Sequence, residues 1–227
     1  MRALPTSLLA GVLLLAGCAS GPPPPDWQLA ARSALDQAIA ADLRGDARTA
    51  TLEFDRAHAQ LASTGRPDLV ARAELLRCAA RVASLVLGPC EGFERLRADA
   101  AAPELAYADH LAGRLAPASA ALLPPAQQAV AAAIASPGSA AADAAAAGIL
   151  QAVADPLSRL VGAALLLQAN QAGPAVITLA VDTASAQGWR RPLLAWLGLQ
   201  RQRAEVAGDA AAAGRLQRRI DLVSGQR

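Results

Sequence analysis

The chain reads as an all-α protein of stacked antiparallel helical hairpins, and three observations lead there. From Asp26 onward, apolar residues recur at mixed spacings of three and four, the period of a helix with one buried face. Gly, Pro, Asp and Ser fall between these runs in the order of helix stops and starts. No segment shows the strict alternation of a half-buried strand.

Composition then removes several functions. Of the 227 residues 61 are alanine, and Phe, Tyr and Trp together make up 3%. No base-stacking platform or aromatic ligand cage can be spread over such a chain. All 21 basic residues are arginine, which excludes Schiff-base and phosphate-loop lysines. A net charge of +2 carries no nucleic-acid-like excess.

The first element is an address. Met1 and Arg2 precede an apolar run over residues 8–16, closing on Leu15, Ala16, Gly17 and Cys18. A charged start, a hydrophobic segment and small residues at a cleavage point describe a signal peptide, residues 1–17. Leu15, Ala16 and Gly17 directly before Cys18 resemble the lipobox of bacterial lipoproteins. The resemblance implies cleavage before Cys18 and acylation of that cysteine, palmitate included, so that lipid chains hold the protein on a bilayer. Ala19, where an Asp would retain an enterobacterial lipoprotein at the inner membrane, implies an outer-membrane address on the periplasmic face. Residues 18–25 then form a tether, in which Pro22, Pro23, Pro24 and Pro25 favour extended polyproline II at ~3.1 Å per residue. The best later apolar run, residues 160–167, is far shorter than the ~20 residues a membrane span needs.

Residues 26–227 form the helical domain. Asp26 is expected to cap a first helix whose inner face carries Leu29, Ala34, Leu35, Ala38, Ile39 and Leu43, ending at Gly45. Asp46 caps a second, with Ala50, Leu52, Phe54, Ala57 and Leu61, before Gly65 and Pro67 break it. Further helices are expected over residues 68–87, 104–112, 124–135 and 140–153. Asp155 with Pro156, Gly173 with Pro174, Gly188 with Pro192, and Gly208 with Asp209 mark the later boundaries.

Within the first hairpin, Ala38, Ala41, Gly45, Asp46, Ala50, Phe54 and Ala57 resemble a tetratricopeptide repeat. Trp196, Ala204, Gly208, Asp209 and Ala213 echo the pattern more weakly. Ala34 and Ala41 stand where the repeat usually has bulkier residues, and the middle of the chain does not phase into 34-residue units. The resemblance implies a TPR-like α-solenoid over about a third of the mature chain, and a scaffolding role.

In the oxidising compartment that the lipobox implies, Cys78 and Cys90 are natural disulfide partners. A helix intact from Cys78 to Leu87 would climb ~13.5 Å, so Gly88 and Pro89 must reverse the chain over nearly all of that length. Other chemistry is hard to assemble. His58 follows Asp55 by one helical turn and His110 follows Asp109, but a zinc site needs a further convergent ligand, and both read as exposed helix residues. No phosphate loop, dinucleotide fingerprint or nucleophile elbow occurs, so neither an enzyme nor a cofactor or metal is expected.

Charge is concentrated at one end. Residues 186–227 carry eight Arg against three acids, while residues 103–185 carry two against five. Trp189, Arg190, Arg191 and Trp196 set two tryptophans beside paired guanidinium groups, a composition enriched at protein interfaces, although tryptophans wedged in a small-residue core would look the same. The expected function is an outer-membrane lipoprotein that binds envelope proteins as a scaffold or adaptor. The alternative is a small-ligand carrier or rare envelope enzyme using a central groove.

Overall fold

In the computed structural model the described residues, 23–136 and 142–225, are helical with turns between and contain no strand. The signal segment and Cys18 lie outside the described residues. The first hairpin is α1 (Asp26–Arg44) and α2 (Ala47–Ala62). Gly45 turns the chain at φ 83°, a left-handed conformation that costs a residue without a Cβ little. Asp46 caps α2 by accepting from the Thr49 N–H at 3.1 Å. Asp26 does not cap α1: Pro25 holds that place and Asp26 lies in the first turn, where its charge still suits the helix dipole.

Leu29 and Leu52 are 54% and 58% exposed, against the inner placement expected of them. Each lies nine residues from a buried position, Ala38 and Leu61 respectively, and nine residues are about two and a half turns. Of the other residues expected inside α1, Ala34, Ala38, Ile39 and Leu43 are buried and Leu35 partly so, while Ala31 and Ala41 join them.

Helix α3 (Pro67–Ala83) stops short of residue 87 because Leu85 takes φ 59° and the Val86 N–H turns back to the Arg81 carbonyl at 2.9 Å. The climb from Cys78 to the helix end is therefore only ~7.5 Å, and the chain returns easily. Cys78 and Cys90 form a disulfide with a Cα–Cα distance of 5.6 Å, tying α3 to the single turn α4 (Glu91–Glu94). A 3₁₀ turn at Arg97–Asp99, α5 (Ala102–Leu111), a second 3₁₀ turn at Pro117–Leu122, α6 (Pro125–Ala135) and α7 (Ala142–Ala152) follow. The last four helices are α8 (Pro156–Gln168), α9 (Pro174–Ala186), α10 (Arg190–Val206) and α11 (Ala210–Ser224).

Helices α3 and α8 pack together at the centre, with Phe93, Leu160, Leu165, Leu166 and Trp196 in the same apolar cluster. A Cβ on Gly162 of α8 would lie 2.7 Å from Leu150 Cδ2 and 2.9 Å from Val130 Cγ2, so this glycine lets α6 and α7 approach. Two polar clamps join neighbours. The Asp143 carboxylate of α7 accepts from the N–H groups of Gly173, Ala175 and Val176, capping α9 from another helix. Arg159 of α8 donates to the carbonyls of Leu150 and Val153 at the end of α7. Finally α10 lies against α9 and α11 and also meets α1, bringing the two ends of the domain together.

Candidate functional site

The four residues expected to face a partner are divided by the fold. Trp196 is fully buried and its indole N–H donates to the Ala83 carbonyl at 3.0 Å, so it is a core wedge and not a contact residue. Trp189 is half-buried, packed between the main core and the small cluster of Ile39, Leu43 and Ala80. Arg191 donates to Asp42 Oδ1 at 2.6 Å and links α10 to α1. Arg190 alone is exposed, with its guanidinium beside Gly45. Of the two placements the sequence leaves open, interface or core, Trp196 takes the core. Helical geometry turns Trp196 inward with Pro192, Leu193 and Leu197.

Asp42 is the more unusual member of that junction. Its Oδ2 is buried without a hydrogen-bond partner. Burial pushes its carboxyl above the usual range, opposed by Arg191, Arg81 and Arg77. A cleft of about 230 Å³ opens there, but its floor is the α1–α2 seam and its arginines serve the fold. Arg77 pairs with Glu74 at 2.8 Å and stacks over Phe54, 4.2 Å from the ring centroid.

An open basic surface does exist one helix further on. Helices α9, α10 and α11 enclose a groove of about 510 Å³, with Pro174, Ile177 and Leu216 as its apolar floor and Arg203, Arg215 and Arg219 along its wall. No acidic side chain lines it, and among the described residues none of the three arginines forms an ion pair. Arg215 and Arg219 share a face because they stand four residues apart on α11. The inner side of that helix presents Leu216, Ile220 and Val223 to the core. The charge excess after residue 186 is spread over α10 and α11, and Arg203, Arg215 and Arg219 are the part of it that lines this groove. The i, i+4 arginines beside Leu216 were the available signal.

His110 also departs from its expected exposure, being only 3% exposed. The Gln127 amide donates to the Ser158 carbonyl at 2.8 Å, which leaves Gln127 Oε1 to accept from His110 Nε2–H at 3.2 Å. This network places a proton on Nε2, which in the neutral ring is the Nε2–H tautomer. Burial lowers the ring's proton affinity, partly offset by the Gln127 bond. Among the described residues no group of three or more His, Cys, Asp or Glu side chains is placed to hold a metal ion. No described helix is long and apolar enough to cross a membrane.

Fold and surface together define an all-helical domain with a cationic groove at its carboxy-terminal end. Comparison of the chain with protein-family models, with curated proteins and with solved structures finds no match.

Proposed function

We propose that this protein is an outer-membrane lipoprotein, anchored through Cys18, whose TPR-like hairpins form a periplasmic scaffold for envelope proteins. The observation that carries the scaffold reading is the groove between α9, α10 and α11. Three arginines without acidic partners beside an apolar floor suit an amphipathic acidic segment, whose carboxylates would meet Arg203, Arg215 and Arg219 while an apolar side chain covers Ile177 and Leu216. The lipobox-like residues support the anchor, which would raise the local concentration of any partner at the same membrane. No catalytic role is part of this reading.

A fluorescently labelled amphipathic helix of Glu and Leu tests the groove. It should bind saturably, and Arg215→Glu with Arg219→Glu should weaken it by about tenfold or more while leaving melting unchanged, since both side chains are exposed. High salt should narrow the difference. Equal binding by the double variant would refute the groove. The anchor is tested separately by expression with a fatty-acid analogue: wild type should take up label and Cys18→Ala should not. An unlabelled wild-type protein removes the lipoprotein reading.

A further inference from the structure

A second cavity, of about 320 Å³, lies between the end of α5, the 3₁₀ turn at Pro117–Leu122, α6 and α8. Its wall is apolar, with Leu115, Pro117, Ile134 and Leu165 prominent, and no charged side chain lines it. Two polar side chains reach it. His110 donates Nε2–H to Gln127 Oε1, and its burial favours the neutral ring. Gln168 donates weakly to the Ala112 carbonyl at 3.3 Å, while its Oε1 is buried with no hydrogen-bond partner. A buried acceptor without a donor is unfavourable, and a ligand in this cavity can supply the donor by a small turn of the amide toward it.

We propose that this cavity is a binding site for a neutral, largely apolar small molecule carrying one hydrogen-bond donor, such as a hydroxyl or secondary amine, directed at Gln168 Oε1. The absence of a cation in the wall disfavours fatty acids and phosphorylated lipids, whose anionic heads would be desolvated without compensation. The volume lies at the lower end of the ~300–1,000 Å³ of small-molecule sites, so the ligand is compact. This site is separate from the arginine groove and does not depend on the scaffold reading.

N-phenyl-1-naphthylamine, a neutral fluorescent probe with a single N–H, is suited to the test, with 1-phenylnaphthalene as its donor-less counterpart. The full domain should bind the amine saturably at one site. Ala135→Trp, at the exposed edge of α6, should block the cavity and abolish binding of both compounds with the circular dichroism unchanged; Ala169→Trp makes the same block from the end of α8 should the first variant unfold. Gln168→Leu should weaken the amine by about tenfold relative to the donor-less compound. Absence of saturable binding to wild type, or binding untouched by the blocking variant, overturns the site. Equal loss of both compounds in Gln168→Leu overturns the proposed role of the amide.

Discussion

His110 shows how one buried side chain converts burial into pH dependence. The folded state holds the ring neutral with its proton affinity lowered, whereas the unfolded chain binds a proton near the ordinary value of ~6.5. Between that value and the lower folded one, the unfolded state carries more protons. His110 therefore supports stability fully above about pH 6.5, and that contribution is lost as pH falls through the folded value. Denaturant midpoints at pH 7.5 and pH 5.5 should differ more for wild type than for His110→Gln. An equal pH response in the two proteins would exclude His110 as the titrating group. The same network explains why the histidine is structural: Gln127 is buried, oriented by Ser158, and needs the ring as its donor.

Helix ends carry much of the remaining specificity. Asp46, Asp155 and Asp209 cap their own helices, as Asp before a run of helix formers suggests. The cap of α9 is different, because Gly173 lacks a side chain and the carboxylate comes from Asp143, 30 residues earlier. A Cβ at Gly173 would stand 2.5 Å from the Asp143 carboxyl carbon, so the glycine admits the foreign cap. Asp143→Ala should cost ~1–2 kcal/mol in denaturant titration, at the upper end for a cap, because three N–H groups lose their acceptor together. Gly173→Ala should also destabilise by displacing the carboxylate. A neutral Asp143→Ala would show that α9 is held by packing alone. Local sequence could reveal the Gly-Pro boundary but not the donor of its cap, since the two partners are joined only by folding.

Closure of the domain rests on α10. Its inner face places Trp196 against α3, and its first turn sends Arg191 to Asp42 on α1. In an open solenoid each repeat touches only its neighbours, but here α3 meets α8 and α1 meets α10 across long stretches of chain. Loss of either α10 anchor should therefore be felt in global unfolding. Trp196→Ala should cost ~3–5 kcal/mol, the range for emptying a large core site. Arg191→Ala should cost ~1–3 kcal/mol by leaving the half-buried Asp42 carboxylate without its donor. Arg190→Ala, in contrast, should leave stability within ~0.5 kcal/mol. Equal melting temperatures for wild type and Arg191→Ala would show that the Arg191–Asp42 link between α1 and α10 contributes nothing to closure.

Much of the helical order was legible from local residues. Gly45 with Asp46, Asp155 with Pro156, and Gly208 with Asp209 mark boundaries because capping and left-handed turns are decided within a few residues. The Cys78–Cys90 pair was legible too, because these are the two cysteines left after Cys18. The inner faces of the first hairpin were largely legible, since Ala34, Ala38, Ile39 and Leu43 in α1 and Ala50, Phe54, Ala57 and Leu61 in α2 are buried as their spacing predicts. Leu29 and Leu52 are not, because alanine is small enough to take the inner positions and leave a leucine outside. The basic charge near the carboxy terminus could be counted in the sequence. Its separation into a buried wedge at Trp196, a clamp at Arg191 and an open groove at Arg203, Arg215 and Arg219 came from three helices meeting, since the direction of each side chain depends on the neighbours packed against its helix.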